Sequence, residues 1–239
     1  MVVFCFGWIV GVGSAIAHAF GGNHSVHVSS NGNSIVSINS PKMIVGSGVQ
    51  KTAKRACAAF DSIDVSGSVD VNIVCQKQQA VTIAADSNII PLVRTEVRDR
   101  TLYIEPIGSY STSNPIKITV AAPSIDQITS SGSSTIDAAN IQNDALKIDT
   151  SGSGEIHLAG AANSLDITSS GSEDIKADSL TASQVTVDLS GSGDASVHAA
   201  QSLNVQISGS GQVTYSGHPP QVQSDITGAG GVQTAQSEE

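Results

Sequence analysis

From Ile128 to Tyr215 the apolar residues fall on alternate positions, and short polar runs containing Ser-Gly-Ser interrupt them at regular intervals. Leu146 and Ile148 precede the run Ser151-Gly152-Ser153-Gly154, and Ile156 and Leu158 follow it. The same frame recurs with Leu165, Ile167, Ile175 and Ala177 around Gly171, then with Val185, Val187, Ala195 and Val197 around Gly191. Leu203, Val205, Val213 and Tyr215 repeat it around Gly209. The positions between them are polar: Lys147, Asp166, Thr186 and Asn204 before the turn, His157, Lys176, Ser196 and Thr214 after it. Apolar spacing by two on both sides of a turn predicts strand, glycine turn, strand and a looser return in every unit.

The column glycines Gly132, Gly152, Gly171, Gly191, Gly209 and Gly228 recur at steps of 18–20 residues, with Gly67 in an earlier, similar turn. A strand-patterned repeat of that length predicts an all-β, single-stranded parallel β-helix, a β-solenoid with one repeat per coil. Leucine-rich repeats have a similar period but need a helical segment opposite the strand. Nothing between Leu158 and Leu165 or between Ala177 and Val185 is long enough to supply one. Like columns then stack about 4.8 Å apart. A sharp turn at each Ser-Gly-Ser predicts positive φ at the glycine, a conformation glycine enters without a Cβ penalty. The flanking serines, Ser131, Ser151, Ser170, Ser190 and Ser208, form a ladder whose hydroxyls serve turn backbone groups and one another.

Outside this region the pattern loosens. Residues 1–19 are apolar and uncharged and end in Ala17-His18-Ala19, which predicts a signal peptide or an uncleaved anchor. Residues 20–55, rich in Gly, Ser and Asn, are expected to be a low-complexity lead-in with room for an early strand or two. The β-helix is expected over 56–232, with irregular capping coils at 56–123 and regular coils at 124–232, and 233–239 as a flexible tail.

The series Phe60-Asp61-Ser62-Ile63-Asp64-Val65-Ser66-Gly67, Val81-Thr82-Ile83, Asp86-Ser87-Asn88, Thr95-Glu96-Val97 and Leu102-Tyr103-Ile104 precedes the Ser-Gly-Ser-Gly coils. In this order it resembles the bacterial family called putative autotransporter adhesin, head GIN domain, formerly a domain of unknown function, over roughly residues 56–232. The resemblance implies a right-handed parallel β-helix in an exported bacterial protein and brings no catalytic residues with it. Cys57 and Cys75 depart from the family's ordinary strand residues at those positions.

The formal net charge is −10 and the pI about 4.8, a poor match to nucleic acid, whose phosphates require clustered cations. Export to an oxidising compartment makes the cysteine spacing informative. Cys57 and Cys75 are eighteen residues apart, close to one coil, so stacking would place them within disulfide reach, and a bridge or two free thiols both fit. Cys5 lies in the export segment without a lipoprotein signature. His24 and His27 lack accompanying ligands, so no metal site is assigned, and no cofactor motif is present.

Parallel β-helices commonly act on polysaccharides, and glycosidic hydrolysis needs two carboxylates facing one cleft. Asp149 and Asp188 share an outward column two coils apart, about 9.6 Å by stacking, and Glu155, Asp174 and Asp194 occupy another. Outward acids on strands are ordinarily solvated, and the chain has no nucleophile elbow, phosphate loop or zinc signature. The basic cluster Arg94, Arg98 and Arg100 offers an alternative recognition edge. Together these features favour an exported, non-enzymatic interaction scaffold in the periplasm, on the outer surface or secreted, whose partner is an envelope protein or a glycan. A polysaccharide-active enzyme and a purely structural envelope component are the alternatives.

Overall fold

The computed structural model describes residues 43–235. The expected export segment with Cys5, His24, His27, residues up to 42 and the last four residues of the tail lie outside them. From Val45 onward the described residues form one compact unit, a β-solenoid.

The described strands are β1 (Ile44–Val45), β2 (Gln50–Arg55), β3 (Ser62–Val65), β4 (Asp70–Val74), β5 (Ala80–Asp86), β6 (Val93–Arg98), β7 (Thr101–Pro106), β8 (Tyr110–Ser111) and β9 (Lys117–Ala121). They continue as β10 (Gln127–Ser130), β11 (Thr135–Thr150), β12 (Glu155–Ser169), β13 (Asp174–Leu189), β14 (Ala195–Ile207), β15 (Gln212–Ser216), β16 (Gln221–Ile226) and β17 (Gly231–Thr234). One 3₁₀ turn, Ile90–Leu92, is the only helical element among the described residues.

Each of β11 to β14 runs through two faces of a coil, so the return stretch is itself largely strand. The parallel register places Leu146 over Leu165, Val185 and Leu203, and Ile148 over Ile167, Val187 and Val205. Ile136, Ile156, Ile175, Ala195 and Val213 stack on the other face. All of these side chains are buried, each contributing about 1.5–3 kcal/mol where a Val, Leu or Ile is removed from water. The alternation in the sequence is therefore the alternation of core and solvent.

The turn glycines are needed for a different reason from the expected one. Of that column only Gly67 and Gly228 have left-handed φ, at 87° and 146°. At Gly152 the constraint is the next coil: the Ser153 N–H donates to Gly132 O at 3.0 Å, and a Cβ on Gly152 would collide with that same carbonyl. The backbones stack so closely at this corner that no side chain fits between them.

Chain order and stacking order differ at the N-terminal end. β3 lies between β7 and β10, so Ile63 sits between Leu102 and Ile128. Likewise β4 lies between β9 and β11. The coil 62–74 is built first, the coil 101–121 is laid beneath it, and the chain then crosses back to continue above. Antiparallel strands close that end: β6 on β7, β5 on β9, and β2 on β5. The β6–β7 hairpin turns at Asp99 and Arg100, with φ of 49° and 62°, the two-residue turn whose twist suits a hairpin. Exposed Lys51, Lys54, Arg94, Glu96 and Arg98 mark these outer strands, a device that discourages edge pairing.

Gln50–Arg55, at the end of the lead-in, is an ordered strand; as an edge strand it turns little toward the core, so its polar sequence hides it. Of the two readings left open for the cysteines, Cys57 and Cys75 stand as free thiols. Eighteen residues is not one coil in this region, because Ile63 pairs with Leu102 and Ile128 rather than with a residue about nineteen away. Cys57 follows the antiparallel β2, its Sγ 3.9 Å from Arg55 O, whereas Cys75 is buried after β4 and its N–H donates to Ala139 O.

Candidate functional site

The long strands bend at mid-length, where the parallel register shifts between Ala138 and Ile141, His157 and Ala159, and Ala177 and Thr181. Asn140, with φ of 59°, and Gly160, with φ of 139°, supply left-handed residues at the bend. Just past it the surface opens into a groove of about 510 Å³ lined by Gln142, Asn143, Asp144, Ala161, Asn163 and Thr181. It adjoins a second groove of about 420 Å³ that shares Gln142, Asn143 and Asp144 and adds Asp126, Lys147 and Asp166.

Amides and carboxylates alternate up this wall. Asn143 Nδ2 donates to Asp126 Oδ1 and to Ile125 O, both at 2.8 Å, and Asn163 Nδ2 donates to Asp144 Oδ1 at 2.9 Å. The buried Asn143 Oδ1 has no partner. Burial pushes the Asp126 carboxyl above its usual range, the nearby Asp61 carboxylate adds to this, and Arg100 opposes it. Asp126, Asp144 and Asp166 set carboxylates along the two grooves beside the amide of Gln142 and the hydroxyl of Thr181, and Ala161 and Ala162 add two methyls. Such a surface fits a ligand that carries many hydroxyl or ammonium donors.

The residues singled out from sequence lie elsewhere. Asp149 and Asp188 do share a column, with Thr168 between them. Asp149 is engaged, accepting from Gln127 Nε2 and pairing with Lys147 Nζ, each at 2.8 Å. Glu155 pairs with Lys176, with His157 Nε2 3.4 Å away; the Lys176 ammonium, with help from His157, holds its carboxyl below the usual range. A general acid needs the opposite shift. Asp174 accepts from the Asp194 N–H at 3.4 Å, and Asp194 from the Gln212 N–H at 2.7 Å, so both serve turn backbone. Arg94 is hydrogen-bonded to Glu105, Arg98 lies 4.2 Å from the centroid of the Tyr103 ring, and Arg100 grips Asp61 at 2.7 Å. The three arginines share one hairpin, each with a partner already in place.

Sequence reading missed Gln142, Asn143, Asp144 and Asn163. For the first three the signal was the polar run Gln142-Asn143-Asp144, which also describes an ordinary return loop. It also missed a closed polar cluster inside the rod. Glu173 is fully buried and accepts from Ser130 Oγ at 3.0 Å, and Ser134 lies 3.0 Å from Ser130. The available clue was an acid at a position held by Gly154, Gly193 and Gly211 in other coils.

Solved structures share this architecture. A putative adhesin from Bacteroides fragilis is 22% identical, with 80% of this chain and 100% of that chain covered and a TM-score of 0.68. A putative lipid binding protein from Parabacteroides distasonis is 24% identical, covering 82% of this chain and 100% of its own, with a TM-score of 0.53. A putative adhesin from Parabacteroides merdae, 20% identical, covers 81% and 99% with a TM-score of 0.52. At such identities the likeness establishes the fold. No curated protein of established function matches the sequence. The family pattern, however, runs through residues 59–219, from the first coil to β15, and the chain accordingly belongs to the putative auto-transporter adhesin, head GIN domain family.

Proposed function

We propose that this protein is an exported, non-enzymatic recognition scaffold of the cell envelope or surface, and that the groove past the mid-strand bend receives a hydroxyl-rich glycan chain. The observation that carries this reading is the wall of Asp144, Asn163 and Asp166, which sets carboxylate and amide groups on successive coils. An extended saccharide meets a repeating wall with repeating donors, and a rigid solenoid holds that wall without an ordering cost at binding. Membership of an adhesin-named family supports the surface role. The carboxylates considered for hydrolysis support the non-enzymatic part, since Asp149 and Glu155 are held in ion pairs.

A glycan array followed by calorimetry on the best ligand tests the reading. Asp144→Ala with Asn163→Ala removes the wall and is expected to weaken binding at least tenfold, whereas Asp149→Asn with Asp188→Asn leaves it unchanged. Release of reducing ends that Asp149→Asn with Asp188→Asn abolishes would instead establish the enzyme. Undiminished binding in the Asp144/Asn163 variant would remove the groove from the account.

A further inference from the structure

The two ends of the solenoid are finished differently. The N-terminal end is closed by antiparallel strands bearing Lys51, Lys54, Arg94 and Arg98. At the other end the last coil is built like an interior one. β16 pairs only with β14 and β17 only with β15 among the described residues, so one side of each strand carries no partner. Val222 continues the column Leu146, Leu165, Val185, Leu203, and Ile226 lies directly over Ile207. Leu203 and Ile207 are 1% and 0% exposed; Val222 and Ile226 are 46% and 40% exposed. No Lys or Arg follows Lys176 in the sequence, so the usual edge guard is absent here.

We propose that this end is covered by the same end of a second copy, β16 pairing antiparallel with β16 of the second copy about a two-fold axis at Ser224. The strand is self-complementary in that register. Val222 falls opposite Ile226 of the second copy, Gln223 opposite Asp225, and Ser224 opposite Ser224. Apolar thus meets apolar on the inner side, and an amide donor meets a carboxylate on the outer side. Asp225 is the only charge in the strand, and the pairing keeps the two copies of it apart. A head-to-tail arrangement would set this edge against the Lys- and Arg-bearing strands and would have no natural end, whereas a two-fold pairing closes after two copies. The result is one rod of doubled length with both terminal faces capped by charged antiparallel strands.

The exported full chain is examined by sedimentation equilibrium across micromolar concentrations, alone and as Ile226→Lys, with circular dichroism confirming that the variant keeps its β-spectrum. Twice the monomer mass is expected for the natural sequence and the monomer mass for Ile226→Lys. Register is read independently by Ser224→Cys in a background of Cys5→Ser and Cys57→Ser. Mild oxidation is expected to link this protein into a covalent dimer, and Gln221→Cys is expected to remain unlinked. Ser224 pairs with its own symmetry mate in an antiparallel ladder, at about 4.5–5.5 Å between Cα atoms, whereas Gln221 does not meet Gln221. A monomer at all concentrations would overturn the proposal, as would an open-ended series of oligomers, a dimer indifferent to Ile226→Lys, or equal linking at Ser224 and Gln221.

Discussion

Glu173 provides the sharpest test of how the interior is held. Its side chain enters a corner whose facing column is apolar below, at Val65, and apolar above, at Leu189 and Ile207. Over the three coils between, the corner is polar: Ser130, Ser134, Thr150, Ser169 and Glu173 are all buried. The carboxyl reaches two coils back to Ser130, and Glu173 Oε2, Thr150 Oγ1 and Ser169 Oγ have no partner in standard hydrogen-bond geometry. Among the described residues no cation pairs with it. An ionised carboxylate there would be a buried, unpaired charge, whereas the neutral acid can donate its proton to a neighbouring hydroxyl. Burial accordingly pushes the Glu173 carboxyl up from its ordinary 4.5, with the Ser130 and Thr150 hydroxyls and the Gly152 N–H opposing.

The sign of the pH dependence follows. Because the folded chain holds this proton more tightly than the unfolded chain, its contribution is fully present below about pH 4.5 and is lost as pH rises through the folded value. The slope is at most about 1.4 kcal/mol per pH unit. Glu173→Gln keeps the shape and the acceptor for Ser130, so it should lie within about 1 kcal/mol of the natural protein at low pH and become relatively more stable as pH rises. Glu173→Ala leaves a void and an unserved hydroxyl, about 3 kcal/mol in all. Urea unfolding at pH 5, 7 and 9 measures all three. If natural protein and Glu173→Gln kept a constant difference across that range, the neutral-acid reasoning would be refuted.

Other consequences are simpler to check. Gly152→Ala should lower stability by about 1–3 kcal/mol through its collision with the Gly132 carbonyl, a cost a left-handed φ would not explain; thermal melting reads it. Burial pushes the Cys57 and Cys75 thiols up, and the two differ in access, so a thiol reagent should modify half-buried Cys57 in the folded protein and Cys75 only after denaturation. Arg100→Ala should weaken the N-terminal cap by no more than about 1 kcal/mol, because its partner Asp61 is paired at the surface.

The regular coils were legible because stacking repeats the same demand every turn: Leu146, Leu165, Val185 and Leu203 answer one column, and their spacing gives the coil length directly. The order of the first coils was not. Ile63 and Val65 alternate in the same way whether the coil beneath them is the preceding one or, as here, one made later in the chain. The cysteine spacing could not decide between a bridge and free thiols for that reason, since reading eighteen residues as one coil presumes a sequential stack. The turn glycines were read in the right places with the wrong cause, because a corner tight to its neighbour and a corner tight within itself both exclude a Cβ. The groove was hidden because polar residues on a bent strand look the same as polar residues in a loop.

The interleaved stack is the claim on which the rest depends, and engineered disulfides test it most directly. In a background of Cys5→Ser, Cys57→Ser and Cys75→Ser, Asp64 is adjacent to both Thr129 and Tyr103, whereas Tyr103 and Thr129 are separated by the whole β3 layer. Adjacent strands lie about 4.8 Å apart and alternate ones about 9.6 Å, on either side of disulfide reach. Asp64→Cys with Thr129→Cys, and Asp64→Cys with Tyr103→Cys, are predicted to bridge on mild oxidation, and Tyr103→Cys with Thr129→Cys to stay reduced. A bridge between 103 and 129 with none between 64 and 129 would mean that the coils stack in chain order, and would contradict the structure described.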